Sequence, residues 1–211
     1  MTGGNREMGV AGYILAGGGS TRFGRDKALV QVGGTLMLER MIRLVCSVTR
    51  QIRIVAASGK YEAFGVEIVE DRWTGEGPLG GIITALEDAA KSAAPPEWNL
   101  IVSCDMPFLT QEWLAFLDER AAKSEGQVVF AHSASGAEPL CACWRTDAAA
   151  ELRRGFERGV RKVMEGIALL RTEVLDETDW RRFDSSGRLF WNMNTAADYE
   201  GARRVLEAES E

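Results

Sequence analysis

The sequence predicts an α/β protein, with a three-layer, doubly wound, mostly parallel sheet. Short apolar runs of strand length alternate along the chain with segments of ten or more residues at helical spacing. A length of 211 residues with 45% hydrophobic content is enough for one sizeable core of that kind. In such a sheet, ligands bind beyond the ends of the strands, where the strand order reverses.

Tyr13-Ile14-Leu15 is a short apolar run that ends in a glycine segment. Thr35 to Val48 then places Leu36, Met37, Met41, Leu44, Val45 and Val48 at near-helical spacing, so the three pieces read as strand, loop and helix. Ile52 to Ala57 and Val66 to Val69 read as strands, and Pro78 to Lys91 as a helix opened by a glycine-rich turn. Leu100-Ile101-Val102 is a buried strand, Thr110 caps a helix from Gln111 to Lys123, and Gln127 to Ala131 is the next strand. The second half gives a strand at Leu140 to Trp144, helices at Asp147 to Glu157 and Val160 to Glu165, and a strand at Leu169 to Val174. Thr195 caps the last helix, and Asp198 stands three positions on, where a carboxylate answers the free amides. One domain is expected over residues 9–206, with residues 1–8 and the acidic end 207–211 loose.

The formal net charge of -6 argues against a general nucleic-acid binder, which normally presents a basic field. No run of eighteen or more apolar residues occurs, and Met1 to Glu7 lacks the charged-then-apolar pattern of a secretory signal, so a cytoplasmic protein without membrane contact is expected. Cys46, Cys104, Cys141 and Cys143 are irregularly spaced, as expected of reduced core thiols. Cys141 and Cys143 have no second Cys or His pair to complete a metal site, and His132, the only histidine, reads as a solvated loop residue. The tryptophans read as core or rim residues.

The segment Leu15-Ala16-Gly17-Gly18-Gly19-Ser20-Thr21-Arg22-Phe23-Gly24-Arg25-Asp26-Lys27 carries the most information. Three glycines let the backbone approach a polyphosphate and turn amides toward it, while Arg22 and Lys27 supply positive charge. A Walker loop is excluded, because Gly24 is followed by Arg25 and Asp26 rather than by Lys and then Ser or Thr. The dinucleotide fingerprint fails as well, since Arg22 stands where its third glycine belongs. A plain strand-to-helix turn would explain a bare glycine triplet but not the attached basic residues.

Three further patches follow. Asp105, in Ser103-Cys104-Asp105-Met106-Pro107, falls at the end of a strand, where a carboxylate can hold Mg²⁺ against phosphates; capping a turn is the plainer reading. Asp71 precedes Gly77-Pro78-Leu79-Gly80-Gly81, whose glycines open a helix that favours an anion or a closely approaching base. Asn192 and Asn194, two apart before the last helix, face one way if extended and offer donors and acceptors to a ligand. Glu138-Pro139-Leu140 is too short a pattern to carry a role.

Together these residues resemble the molybdenum cofactor guanylyltransferase family of MobA-like nucleotidyltransferases. The first segment matches the pattern Leu-Ala-Gly-Gly-x-Ser-x-Arg-Met-Gly-x-Asp-Lys, with Phe23 in place of Met. Its Ala-Gly-Gly, where the related cytidylyltransferases have Ala-Ala-Gly, leans toward guanine. The family's Cys-Asp-Met-Pro and Gly-Pro-Leu-x-Gly motifs are present, and its Asn-x-Asn-Thr-Pro motif is matched with Ala196 for Pro. The likeness covers nearly the whole chain and implies a Rossmann-like nucleotidyltransferase fold.

The resemblance also assigns residues. Arg22, Lys27 and Asp105 become catalytic, with Asp105 the ligand of Mg²⁺, for which Mn²⁺ is a substitute. Leu15, Ala16, Gly17, Gly18, Gly19, Lys27, Asp71, Gly77, Pro78, Leu79, Gly80 and Asp105 bind the nucleotide, and Asn192 and Asn194 the acceptor. The implied reaction joins GMP from GTP to the terminal phosphate of molybdopterin, with or without molybdenum, and releases pyrophosphate. Proteins that supply the acceptor or take the product are implied as transient partners. The alternatives are a CTP-dependent molybdopterin cytidylyltransferase, an enzyme for another small phosphorylated acceptor, and a silent nucleotide-binding regulator.

Overall fold

The computed structural model describes residues 10–17 and 26–208. The chain opens with β1 (Ala11–Leu15), a small hairpin of β2 (Gln31–Val32) and β3 (Thr35–Leu36), and α1 (Met37–Cys46). It continues through β4 (Gln51–Ala56), β5 (Glu67–Glu70), α2 (Pro78–Ala90), β6 (Trp98–Ser103) and α3 (Gln111–Ala121). Then come β7 (Val128–Ser133), β8 (Gly136–Arg145), α4 (Ala148–Glu157), α5 (Val163–Ile167), β9 (Thr172–Leu175), α6 (Glu177–Trp180) and α7 (Ala196–Ala208).

Seven strands form one sheet in the order β5-β4-β1-β6-β8-β7-β9. The pairings of β1 with β4 and β6, of β4 with β5, and of β7 with β9 are parallel. The antiparallel part is the long strand β8, which pairs with both β6 and β7. Residues alternate across the pleat, so each strand feeds two cores. On one face Ile14, Leu100, Val102, Cys141 and Cys143 pack under α1, α3 and α7. On the other, Tyr13, Leu15, Ile101, Ala142 and Trp144 pack under α2, α4 and α5. This is the three-layer, mostly parallel arrangement expected from the alternation of elements.

Several boundaries differ from the sequence reading. The helix expected from Thr35 starts at Met37, because Gly33 and Gly34, at φ 58° and 75°, close a tight hairpin first. The helix expected from Val160 starts at Val163, since Gly159 at φ 100° and the extended Lys162 separate it from α4. Leu169 and Leu170 close the turn after α5 through bonds to Gly166 and Ile167, which delays β9 to Thr172. The unexpected α6 is held by a capping box between Asp176 and Asp179. Helix α7 continues through Glu207 and Ala208, where the sequence suggested a loose end, and Arg203 pairs with Glu207 one turn on at 3.6 Å. The cap of α7 is as expected, with the Asp198 amide donating to Thr195 Oγ1 at 3.2 Å and the Thr195 amide to Asp198 Oδ2 at 2.7 Å. Cys46 is exposed, unlike the other three thiols, because it ends α1 on its outer side. Among the described residues no helix is long and apolar enough to cross a membrane.

Candidate active site

After β1 the chain passes to β4 and β5 on one side and then returns to β6 on the other, so the strand order reverses at β1. Leu15, the last residue of β1, is in register with Val55 of β4 and Ser103 of β6. The Ala16 amide donates to the Val55 carbonyl at 2.9 Å and the Cys104 amide to the Leu15 carbonyl at 3.1 Å, which ties the three strand ends together. Beyond them lies a cavity of about 250 Å³, lined by Leu15, Gly17, Val55, Asp71, Ser103 and Asp105 and, from the opening of α2, by Gly75, Gly77, Pro78 and Gly81. Such a crevice at the switch point is where α/β sheets take their ligands.

Asp71 follows β5 and is buried, its amide donating to the Ala56 carbonyl at 2.8 Å. Its Oδ1 accepts from the Trp73 amide at 3.0 Å and from the Thr84 hydroxyl at 3.5 Å. Burial pushes its carboxyl above the ordinary range, while those two donors pull it back. Its other oxygen lies against Gly17, where a Cβ would stand 3.1 Å from Oδ2.

Lys27 opens a short 3-10 turn, Lys27–Leu29, whose cap Asp26 accepts from the Ala28 amide at 3.1 Å. From there its ammonium donates to Asp105 Oδ2 at 3.2 Å and to Asn194 Oδ1 at 3.1 Å. Asp105 is fixed from three directions, because Ser103 Oγ also donates to its Oδ1 at 2.7 Å and the Met193 amide donates to its carbonyl at 2.9 Å. Three segments distant in sequence thus meet at one lysine. The Lys27 and Asp105 side chains are only 18% and 16% exposed, so their attraction is less screened than that of a surface pair.

Asn194 also lines a second cavity of about 420 Å³, with Asn192, Trp191, Asp184 and Ser133 among its walls. The two Asn residues therefore share a wall, as their spacing suggests, and Asn194 alone reaches Lys27. Trp191 is partly buried, its ring centred 5.6 Å from that of Phe108 and tilted 31° to it.

Most expected site residues converge, and some do not. Gly18, Gly19 and Arg22 lie outside the described residues. Ala16 is buried beside the cavity and contributes backbone bonds. Leu79 and Gly80, expected at the nucleotide, do not line the cavity, because α2 turns them away from it. Leu79 is fully buried in the core, and a Cβ on Gly80 would stand 2.8 Å from Trp73 Cβ. Gly81 takes the lining position instead. Ser103, the last residue of β6 and two positions before Asp105, is a site residue that no sequence pattern singles out. Leu140, in a pattern too short to carry a role, also lines the cavity, from β8 beside the buried Glu138.

Among the described residues no group of three or more His, Cys, Asp or Glu side chains could hold a metal ion by itself. Asp105 nevertheless fits a metal shared with a substrate, since Mg²⁺ is commonly held by one or two carboxylates together with phosphate oxygens and water.

A glycine segment leading from the end of β1 into a lysine, carboxylate and amide cluster at the switch point defines an α/β protein built to handle a nucleoside polyphosphate. The family model described as "MobA-like NTP transferase domain" matches residues 12–174. The chain is 34% identical to "Probable molybdenum cofactor guanylyltransferase" of Opitutus terrae, over 76% of this chain and 79% of that one. It is 32% identical to the protein of the same name from Flavobacterium johnsoniae, over 87% and 91%. The crystal structure of molybdopterin-guanine dinucleotide biosynthesis protein A from Archaeoglobus fulgidus shares the fold, with a TM-score of 0.81 and 24% identity over 94% of this chain and all of that one. The chain belongs to the MobA-like NTP transferase family and is a nucleotidyltransferase of molybdenum cofactor biosynthesis.

Proposed function

We propose that this enzyme transfers GMP from GTP to the terminal phosphate of molybdopterin, forming the guanine dinucleotide cofactor and pyrophosphate. The names of its relatives support the substrates. The observation that carries the reading is the meeting of Lys27 Nζ with Asp105 Oδ2 and Asn194 Oδ1 at 3.2 and 3.1 Å, between the two cavities. Nucleotide occupies the cavity at the ends of β1, β4 and β6, and the acceptor the one walled by Asn192 and Asn194.

A phosphate oxygen of the acceptor attacks the α-phosphorus of GTP in line. The bond from that phosphorus to the bridging oxygen of the β-phosphate breaks, and pyrophosphate leaves with the electron pair. The attacking phosphate is already ionised near neutral pH, so the protein contributes charge and alignment rather than a base. Lys27, released from Asp105 toward the phosphates, offsets charge on the leaving group, together with Arg22 and the amides of residues 17–19. Asp71 accepts hydrogen bonds from the nucleotide. Asp105, together with the substrate phosphates, would hold Mg²⁺, or Mn²⁺ in its place, which would supply Lewis-acid neutralisation when bound. The catalytic domain runs from residue 10 to the end of α7 at Ala208 and works in the cytoplasm, receiving its acceptor from, or passing its product to, other proteins.

The test is pyrophosphate release from GTP, CTP and ATP in the presence of molybdopterin and Mg²⁺. Release that requires GTP and acceptor together supports the proposal. Preference for CTP assigns a cytidylyltransferase, and binding without release a silent regulator.

A further inference from the structure

Tyr61 is the single non-glycine residue with positive φ among the described residues, at φ 64°. A side chain is disfavoured in that conformation, and such strain persists where the surroundings over-determine it. The surroundings here are specific. The Tyr61 ring is buried and meets Phe64 edge-on at 6.4 Å. Its hydroxyl lies 2.8 and 2.9 Å from the two carboxylate oxygens of Asp26 and 3.3 Å from the Ala16 carbonyl. Lys60, next in the chain, donates to Asp26 Oδ2 at 3.0 Å. One hydroxyl from the loop after β4 therefore touches both Ala16, at the start of the phosphate segment, and Asp26, directly before Lys27.

We propose that Tyr61 is a positioning residue for the transfer reaction, its hydroxyl clasping the Asp26 carboxylate beside Ala16 so that Lys27 is set at the reacting phosphates. The inference rests on the proposed function for the identity of those phosphates. Asp26 transmits the effect, because it accepts the Tyr61 hydroxyl and also caps the turn that begins with Lys27. Burial and the Asp26 carboxylate raise the phenol's pKa, which keeps the hydroxyl protonated as a donor at every physiological pH.

Tyr61→Phe keeps the ring and removes the clasp. Its melting temperature is expected within a few degrees of wild type. At saturating GTP and molybdopterin, kcat per folded enzyme falls about tenfold, the size of one lost hydrogen bond to a charged group, while KM for molybdopterin is unchanged. Asp26→Asn is expected to lose rate too, and the double variant to lose less than the product of the two single losses. Unchanged kcat in Tyr61→Phe, or losses that multiply in the double variant, would overturn the proposal. A readout free of turnover is amide exchange at Ala28 in the ligand-free protein, expected to quicken in Tyr61→Phe; exchange equal to wild type rejects the clasp even if GTP proves not to be the substrate. Failure of wild type to release pyrophosphate from GTP, with Ala28 exchange quickened in the variant, would instead place the error in the functional reading.

Discussion

Gly17 lies so close to Asp71 that a methyl group on it would stand 3.1 Å from Asp71 Oδ2. Gly17, the second residue after β1, and the buried carboxylate after β5 thus form one wall of the nucleotide cavity. In Gly17→Ala the carboxylate must yield by a few tenths of an ångström. The variant is expected to fold, with KM for GTP raised and KM for molybdopterin unchanged in steady-state assays. Equal KM values for GTP in variant and wild type would detach this wall from the nucleotide.

Asp71 itself separates stability from function. Its folded pKa is raised mainly by burial, so the native state binds the proton more tightly than the unfolded chain. Its contribution is complete below the unfolded pKa of about 3.9 and is lost as pH rises through the higher folded value. Near neutrality the buried charge is a burden that Asp71→Asn removes, while an amide oxygen still accepts from Trp73 and Thr84. The variant is expected to melt at or above the wild-type temperature at pH 7, with the difference shrinking toward pH 4. Its KM for GTP should rise about tenfold or more, as expected for a charged acceptor lost from a hydrogen bond. A variant that melts lower at pH 7 and binds GTP normally would contradict both halves.

Lys27→Ala is predicted to lose on the order of a hundredfold or more in kcat, the usual cost of removing one placed charge donor. It should remain folded, because the Ser103 hydroxyl and the surrounding water still satisfy the partly exposed Asp105. Asn194→Ala removes one of the lysine's acceptors and should cost far less, roughly fivefold, the size of a single ordinary hydrogen bond. Pyrophosphate-release rates rank the two, and an Asn194 variant slower than the Lys27 variant would reverse their roles.

The lysine, carboxylate and amide cluster was legible in sequence because each member stands in a short pattern whose spacing survives folding. What spacing conceals is direction. Leu79 and Gly80 belong to the same glycine-proline turn as Pro78, yet one turn of α2 carries them into the core and against Trp73. The β2 and β3 hairpin was hidden for a related reason: Leu36 and Met37 fit the helical period of α1, although Gly33-Gly34 is a hairpin signal by itself. Tyr61 left no trace, since its place depends on a left-handed backbone and on contacts 35 and 45 residues away. The alternation of strands and helices, by contrast, is a property of whole segments, and the layered sheet followed from it.

Gly80 offers the test of that directional argument. If this glycine exists to admit the nucleotide, a methyl group there should obstruct GTP and leave the fold intact. The packing predicts otherwise: the new Cβ would lie 2.8 Å from Trp73 Cβ, closer than carbon atoms approach, so Trp73 has to move. Trp73 is not free to do so, with its ring 5.2 Å from that of Phe156 and the Arg153 guanidinium 5.1 Å above it. Overpacking of this kind costs about 1–3 kcal/mol, which a denaturant midpoint resolves. Because the Trp73 amide also donates to Asp71, KM for GTP should rise as well, through a displaced carboxylate rather than a blocked cavity. Combining Gly80→Ala with Asp71→Asn distinguishes the two routes. If the methyl acts through Asp71, its effect on KM shrinks in the Asn background while its cost in stability persists; if it blocks the base directly, both effects persist unchanged.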